Sequence, residues 1–241
     1  MTAARTWLIL GATSIIAEEF AHLAAQANNN LILVGRDRPQ LEIIAANIRL
    51  RYPINCEVFF TDFSADLRNL LDLLQRKSSP ELALFIAHSA ILQNDELNLM
   101  AIEEMIHTNV LSTLQLINTY LKKPQSNHRL IFLSSVAACR GRSKNSLYGG
   151  TKAAIEIYLE GLQQSAKRNL RITIARLGFI DTAQTYGAPG IFYASSPKAC
   201  AKACWRASKA GKRWIYHPFF WRYIMAIITR LPFFIYKRMK F

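Results

Sequence analysis

The sequence predicts an α/β protein with one doubly wound parallel sheet, on three observations. First, short runs of continuously apolar residues alternate with stretches of helical periodicity, the pattern of strands covered by helices on both faces. Second, a length of 241 residues with 51% hydrophobic content suffices for one large core. Third, neither an internal repeat nor a linker interrupts residues 1–218. We therefore predict a three-layer single domain over 1–218, followed by an amphipathic helical tail over 219–241.

The strands are predicted from apolar runs bounded by turn residues, and the helices from apolar spacing of three and four. The predicted strands are 6–10, 31–34, 56–60, 82–87, 130–133, 171–175 and 213–217. The predicted helices are 15–27, 39–50, 67–76, 102–121, 147–168 and 197–209. Ser196 and Pro197 suit the N-cap and first position of the last of these helices, and Gly211 suits its end.

Charge is distributed unevenly along the chain. The net charge is +14, yet no Asp or Glu follows Asp181, and the last 60 residues carry 11 Lys or Arg. The first 181 residues are nearly balanced, with 19 basic and 16 acidic residues. The basic end therefore predicts an anionic surface or ligand near the C-terminus.

The cysteines predict reduced thiols in a cytoplasmic protein and no metal site. Cys56, Cys139, Cys200 and Cys204 are scattered, and Cys200 and Cys204 have no second pair to complete a metal-binding set. The apolar run at 7–10 is too short for a signal-peptide core.

A turn after the first predicted strand is suited to a dinucleotide pyrophosphate. Gly11 opens it, and the backbone of Thr13, Ser14, Ile15 and Ile16 leads into a helix whose N–H groups and dipole favour an anion. The signal is weak alone, because Ile15 and Ala17 stand where a dinucleotide loop has its later glycines, and a plain tight turn would look the same.

The end of the second predicted strand carries information on the cofactor. Arg36 lies 25 residues after Gly11, and Arg38 follows closely. An acidic residue here would accept hydrogen bonds from the adenosine ribose of NAD, whereas arginine suits the additional phosphate of NADP. We therefore favour NADP(H) over NAD. Asp62, after the third strand, is placed to meet the adenine amino group or to cap a helix.

A serine, a tyrosine and a lysine form a candidate acid–base site. Ser135 follows the fifth predicted strand. Tyr148 comes thirteen residues later, and Lys152 four residues after it lies on the same face of a helix. A neighbouring ammonium favours phenolate, so we expect Lys152 to lower the pKa of Tyr148 from about 10. Ser135 is expected to hold the substrate oxygen by a hydrogen bond.

With these motifs the sequence resembles the short-chain dehydrogenase/reductase family over about residues 5–217, which implies a Rossmann fold. The resemblance implies that Tyr148 protonates a carbonyl oxygen while NADPH delivers hydride, and that Ser135 polarises the carbonyl. It implies that Lys152 binds the nicotinamide ribose and that Asn109 holds a water linking Lys152 to solvent. It also implies a cofactor surface that includes Phe63, Ala87, His88, Ser89, Gly178, Ile180 and Thr182.

The sequence departs from the family pattern at several cofactor positions. Two loop glycines are missing, and the family's Asn-Asn-Ala-Gly is Ala87-His88-Ser89-Ala90 here. We interpret His88 as a histidine packed beside the cofactor rather than an additional acid. The loop and this segment resemble those of the decaprenylphosphoryl 2-keto-pentose reductases, a branch of the family.

Two C-terminal segments remain. Residues 182–195 are irregular and predict a substrate lid.

In the tail, Tyr223–Thr229 is an apolar run of seven residues between Arg222 and Arg230, too short for a membrane span of about 20. At 100° per residue the two arginines lie about 80° apart, with Phe220, Trp221, Tyr223, Ile224, Ile227 and Ile228 on the other side. A core or oligomer helix (in a homodimer or homotetramer) is the main alternative, and nothing upstream resembles a nucleic-acid module.

We therefore predict an NADPH-dependent reductase acting on an apolar or lipid-linked ketone, such as a keto-sugar. The tail is expected to bind the cytoplasmic face of an anionic membrane in the plane of its surface. A soluble 3-oxoacyl-thioester reductase whose basic end docks an acidic carrier protein is the first alternative. A non-catalytic NADP-binding scaffold or sensor is the second.

Overall fold

The computed structural model describes residues 5–75, 81–165, 169–182 and 193–239. Within these ranges seven parallel strands form one sheet in the order β3-β2-β1-β4-β5-β6-β7. The strands are β1 (Thr6–Leu10), β2 (Asn30–Gly35), β3 (Cys56–Phe60), β4 (Leu82–Ile86), β5 (His128–Ser135), β6 (Leu170–Leu177) and β7 (Trp214–His217). The predicted doubly wound α/β fold is thereby confirmed.

Helices cover both faces of this sheet. They are α1 (Ile15–Gln26), α2 (Arg38–Arg51), α3 (Arg68–Gln75), α4 (Leu99–Ile106), α5 (Ser112–Lys122), α6 (Ser146–Ser165), α7 (Pro197–Lys209), α8 (Trp221–Ile228) and α9 (Phe233–Tyr236). Ser196 caps α7 by accepting a hydrogen bond from the Ala199 N–H at 3.2 Å, so the predicted start and end of this helix are confirmed.

The sheet separates two apolar layers, and β1 shows how one strand serves both. Trp7 and Ile9 pack in the layer beneath α1, α2 and α7, while Leu8 and Leu10 pack in the layer beneath α3, α5 and α6. All four side chains are buried. Side chains alternate across a strand, and both faces are covered, so the strand is apolar at every position.

The long helix predicted over 102–121 is interrupted in the structure. α4 and α5 are joined by a π-helical segment, His107–Leu111. Such a wider turn admits one additional residue and rotates the side chains that follow it. Apolar periodicity does not reveal it, because the flanking helices keep their own spacing.

The first part of the tail packs against the domain instead of standing free. Trp221 and Met225 are buried and form a small cluster with Val136, against which Ile224 and Ile228 also pack. The expectation that Trp221 belongs to a membrane-facing surface is therefore wrong, and Phe220, Ile224 and Ile228 of the same predicted face are partly covered by the domain. The division of the chain into 1–218 and 219–241 remains a prediction.

Close contact explains why the tail lies where it does. A Cβ on Gly178 would fall 1.9 Å from Nε1 of Trp221, so the indole packs directly against the backbone that follows β6. Any larger residue at position 178 would displace α8. None of the helices in the described parts of the chain is both long enough and apolar enough to cross a bilayer.

A buried ion pair connects α6 to β6. Arg176 Nη2 lies 2.7 Å from Glu156 Oε2, and the two side chains are 24% and 4% exposed. Hydrogen bonds from Arg176 Nε to both carboxylate oxygens, at 3.2 and 3.0 Å, complete the pairing. This geometry satisfies a carboxylate that would otherwise be buried without a partner.

We predict that Arg176→Met lowers the free energy of unfolding by about 3–5 kcal/mol, because it leaves the Glu156 carboxylate buried and unpaired. Chemical denaturation measures the change. The matched control is Arg49→Met, which breaks the exposed Arg49–Glu42 pair and should cost about 0–1 kcal/mol. Equal losses in the two variants would contradict the prediction.

Candidate active site

The predicted site residues gather at the carboxyl ends of β1 to β6. The strand order reverses direction between β1 and β4, and the crevice above such a reversal is where open α/β sheets bind ligands. The turns after β1, β2, β3 and β4 line one side of this crevice, and the turn after β5 with the start of α6 lines the other.

The turn after β1 has the conformation that an anion cradle requires. Gly11 adopts a positive φ of 77°, and a Cβ there would lie 2.5 Å from the backbone nitrogen of His88. The Gly11 and Ala12 N–H groups donate to the Val34 carbonyl at 2.9 and 3.0 Å, which anchors the turn to β2. The Ser14 side chain accepts no hydrogen bond from the first turn of α1. The first N–H groups of this helix are therefore not capped by Ser14, and they face the crevice.

Side chains stand where the missing loop glycines would be. Ile15 occupies the second loop-glycine position and is 48% exposed, while Ile16 is buried in the core. Thr13 is exposed and Ser14 is half-buried beside it. A cofactor pyrophosphate here would meet the Ile15 side chain as well as backbone N–H groups.

The ends of β2 and β3 bring a cation and a carboxylate close together. Arg36 is exposed directly after β2. Asp62 Oδ1 accepts from Ser64 N at 2.9 Å and from Ser64 Oγ at 2.8 Å. These bonds, led by the one from the Ser64 N–H, lower the pKa of Asp62, and the nearby charge of Arg36 contributes in the same direction. Asp62 therefore caps a turn, whereas the helix that follows starts only at Arg68.

His88 is a buried, neutral residue. Its ring stacks on Phe63 with centroids 3.9 Å apart and planes 7° apart. Its Nε2 lies 3.0 Å from Thr113 Oγ1. Burial, with a smaller contribution from the charge of Lys152, lowers the pKa of His88 to about 3. A group with this pKa is a poor proton donor near neutral pH, in keeping with the packing role predicted for it. Ala87 and Ser89 flank it, half-buried.

Ser135 and Tyr148 meet because α6 packs tightly on the turn after β5. A Cβ on Gly149 would lie 2.6 Å from the Ala137 carbonyl oxygen, so only glycine permits this approach. Ser135 Oγ accepts from the Ala137 N–H at 3.1 Å. The Ser135 hydroxyl lies close enough to the Tyr148 phenol to lower its pKa. The structure thus brings the predicted serine and tyrosine together.

Lys152 is buried below Tyr148. Its Nζ donates to the Leu133 carbonyl at 3.0 Å and lies 5.8 Å from the Tyr148 ring centroid. Burial lowers the pKa of Lys152 to about 8, against a raising contribution from Glu156. The ammonium is held by the backbone of β5, with its remaining N–H groups available to other acceptors.

The expectation that Lys152 lowers the pKa of Tyr148 is wrong. Burial raises the pKa of Tyr148, and the two opposing contributions come from the Ser135 hydroxyl and from the charge of Arg142. Desolvation disfavours the phenolate more than these neighbours favour it. The phenol form is therefore dominant at neutral pH, which suits a proton donor to a carbonyl oxygen.

Asn109 connects three elements of the site from the π-helical segment. Its Oδ1 accepts from Ala90 N at 2.7 Å, and its Nδ2 donates to Ala90 O at 2.8 Å and to Thr151 Oγ1 at 3.1 Å. Thr151, which we did not predict, also donates to the Tyr148 carbonyl at 2.8 Å. Asn109 thereby braces the helix turn that carries Tyr148 and Lys152, and its water-holding role remains a prediction.

The segment after β6 forms the remaining side of the predicted cofactor surface. Gly178 N donates to His217 O at 2.9 Å, and Ile180 is buried and bridged to Ser195. Thr182 is half-buried. Most of the predicted lid, residues 183–192, lies outside the described residues, but the bridge brings its two flanking segments together.

Sequence reasoning also missed Arg142 and Tyr236. Arg142 is half-buried in the turn between Ser135 and Tyr148, and burial lowers its pKa. Tyr236, from α9, donates to the Gly141 carbonyl, and its ring lies 3.8 Å from the Arg140 guanidinium carbon. No sequence signal links residues 95 positions apart, so this contact was not predictable.

We predict that Arg142→Met moves the alkaline pH dependence of the site. The Arg142 cation favours phenolate, so its removal raises the pKa of Tyr148 further. Oxidation of an alcohol requires the phenolate, and its rate should therefore rise at higher pH in the variant than in the wild type. The pH profile of kcat/KM measures this shift. Lys144→Met, in the same turn but exposed, is the control, and an equal shift there would contradict the assignment.

Comparison with known proteins agrees with this geometry. The model of the short chain dehydrogenase family matches residues 5–188. An uncharacterised oxidoreductase of Mycobacterium tuberculosis is 27% identical over 99% of this chain and 98% of its own length. An 11-beta-hydroxysteroid dehydrogenase-like protein of Arabidopsis thaliana is 27% identical over 93% of this chain and 77% of its own.

A solved short-chain dehydrogenase from Sphingobium yanoikuyae, in complex with NADPH, has the same fold, with a TM-score of 0.84 at 18% identity over 95% of this chain and 96% of that one. The chain belongs to the short-chain dehydrogenase family. It is accordingly an oxidoreductase that acts on CH–OH or C=O groups with a nicotinamide cofactor. The resemblance to the decaprenylphosphoryl 2-keto-pentose reductases remains a prediction.

The residues at the crevice fit a nicotinamide dinucleotide. The positive-φ turn at Gly11 and the N-terminus of α1 suit its pyrophosphate, and the buried Lys152 ammonium suits a ribose hydroxyl. When bound, the nicotinamide supplies or accepts hydride. The described residues contain no group of three His, Cys, Asp or Glu side chains able to hold a metal ion.

Proposed function

We propose that this oxidoreductase uses NADPH to reduce a ketone to a secondary alcohol, with an apolar or lipid-linked substrate taken at a membrane surface. The convergence of Ser135, Tyr148 and the buried Lys152 is the observation that carries the catalytic part. Tyr148 donates the proton to the carbonyl oxygen, and Ser135 holds that oxygen. Lys152 and Asn109 position the helix turn and the cofactor ribose.

The preference for NADPH is supported by Arg36. It stands exposed at the end of β2, where the adenosine ribose of a dinucleotide lies in this architecture. Its planar guanidinium suits a phosphate on that ribose. Asp62 follows β3 and so does not stand at the end of β2, where an acidic residue would accept hydrogen bonds from the ribose of NAD.

The membrane part of the proposal is supported by the exposed surface of the tail. Phe219, Tyr223, Ile227, Phe233 and Phe234 are each between 64% and 73% exposed. Exposed cations accompany them at Arg222, Arg230, Lys237 and Arg238, and no acidic residue follows Asp181. Aromatic and basic side chains on one short segment are typical of interfacial anchors. The proposed surface is thus smaller than the whole apolar face of the tail.

We predict that Phe233→Ser/Phe234→Ser lowers binding to phosphatidylglycerol vesicles by at least about tenfold, because each buried phenylalanine contributes about 1.5–3 kcal/mol. Vesicle sedimentation measures the loss. Deleting 219–241 is a poorer test, since it also removes the buried Trp221 and Met225 from the domain. Leu50→Ser/Leu99→Ser, at two positions more than 80% exposed elsewhere, is the control and should bind like wild type.

A substrate panel tests the proposed activity. NADPH oxidation should be fastest with polyprenyl-linked keto-sugars or long-chain apolar ketones. Fastest turnover with 3-oxoacyl carrier proteins would instead favour a soluble thioester reductase whose basic end docks the carrier. NADPH binding with no turnover of any of the three substrate classes would favour a non-catalytic role and contradict the proposal.

A further inference from the structure

One cavity of the structure is lined by none of the predicted catalytic or cofactor residues. It has a volume of about 450 Å³ and lies between α6, the strand ends of β6 and β7, and α8. We call it the basic cleft and define it by Glu156, Arg176, Tyr216, Arg222, Ala226 and Arg230. A cavity of this size accommodates a small ligand or a lipid headgroup.

Charge in the basic cleft is not balanced. Glu156 is its one carboxylate, and Arg176 neutralises it at 2.7 Å. Arg222 and Arg230 form no ion pair with any residue that the structure describes. Arg230 Nη1 donates to Ala226 O at 2.8 Å, which holds its guanidinium near the cleft. Two cations therefore border the cleft, and no carboxylate of the described residues pairs with either of them.

The floor of the cleft is rigid and its rim is partly apolar. The Arg176 guanidinium lies 4.2 Å from the Trp214 ring and donates to the Tyr216 hydroxyl at 2.6 Å. Ile157, on the α6 side, is 68% exposed, and Ala226 of α8 also lines the cleft. Guanidinium groups, which suit oxyanions, and apolar side chains thus line the same cleft, as an amphiphile with one anionic group requires.

We propose that the basic cleft binds the phosphate group of an anionic amphiphile. Arg222 and Arg230 bind the phosphate oxygens, and Ile157 and Ala226 contact the first apolar atoms of the chain attached to it. The inference deepens the proposed membrane docking and rests on it only for the origin of the ligand. A membrane lipid and a free phosphorylated compound share the phosphate chemistry, so the test separates them.

The test uses the full-length protein with NADPH and short-chain dihexanoylphosphatidylglycerol below its micellar concentration. Isothermal titration calorimetry should show saturable binding that Arg222→Gln/Arg230→Gln weakens by at least about tenfold, the value of one lost charge-assisted hydrogen bond. Inorganic phosphate should compete for the site at higher concentration. Circular dichroism verifies that the variant is folded.

The matched control is Lys237→Gln/Arg238→Gln. It removes the same charge from the same tail at exposed positions outside the cleft, and should change the affinity by less than about twofold. Equal weakening in both double variants would mean general electrostatic attraction and overturn the proposal. So would absence of lipid binding, absence of competition by phosphate, or binding of an acidic carrier protein alone through Arg222 and Arg230.

The cleft and the proposed function fail separately. Binding of the soluble lipid without vesicle binding would leave the cleft in place and remove the membrane docking. Vesicle binding that depends on Phe233 and Phe234, with no binding of the soluble lipid, would leave the membrane docking in place and remove the cleft.

Discussion

Replacing Tyr148 with phenylalanine is expected to reduce kcat for carbonyl reduction by about 10²- to 10⁴-fold, the usual contribution of a positioned general acid. The variant keeps the ring that packs against Ser135 and Lys152 but has no proton to donate. Steady-state NADPH oxidation with the best substrate of the panel measures the loss. NADPH binding, followed by cofactor fluorescence, should be nearly unchanged.

Tyr158→Phe is the control for Tyr148→Phe, because it removes a phenolic hydroxyl from the same helix at a half-buried position away from the site. Its turnover should match that of the wild type. Wild-type turnover in Tyr148→Phe would remove Tyr148 from the mechanism. Loss of NADPH binding together with turnover would indicate a structural role instead.

Changing Arg36 to aspartate is expected to shift the ratio of NADPH to NADH affinity by about 10- to 100-fold in favour of NADH. Losing hydrogen bonds from a guanidinium to a phosphate costs about 1.5–3 kcal/mol, and tenfold in affinity corresponds to 1.4 kcal/mol. Dissociation constants for both cofactors measure the ratio. Only NADPH carries the additional phosphate, so NADH affinity should change little or improve.

Arg51→Asp is the control for Arg36→Asp. Arg51 is also exposed, but it lies at the far end of α2 from Arg36. The control should leave the ratio within about threefold of wild type, as expected of a screened surface charge. Parallel weakening of both cofactors in Arg36→Asp would contradict the assignment of NADPH.

The fold was predictable because its signals are local. The central strands contain continuous apolar runs, and helix ends such as Ser196–Pro197 follow from capping chemistry. The same holds for the placement of Tyr148 and Lys152, because four residues on a helix always share a face. The strand ends of β5 and β6 were predicted too short, since Ser134 and Arg176 are polar residues that pair within the sheet.

The features that were missed depend on contacts between distant parts of the chain. The π-helical segment that turns Asn109 inward has no periodic signature. Trp221 was assigned to a membrane face, because nothing near it in the sequence shows that Gly178 leaves room for its indole. Helical periodicity identifies an apolar face, but not what covers it.

The pKa of Tyr148 illustrates a different limit. The spacing of Tyr148 and Lys152 predicted that the ammonium lowers the pKa of the phenol. In the structure, burial raises this pKa, and Ser135 and Arg142 oppose the increase. Desolvation depends on the surrounding structure and cannot be read from a motif. Its consequence here is a phenol that keeps its proton at neutral pH and can donate it to a carbonyl oxygen.

Deuterium transfer tests the central claim most directly. The wild-type enzyme, given NADPH deuterated at the transferring carbon and the best ketone of the panel, should yield an alcohol with one deuterium on the carbinol carbon. Tyr148→Phe should yield at most about a hundredth as much under the same conditions. NADPH binding without deuterium in any product, or equal transfer by the two proteins, would contradict the account.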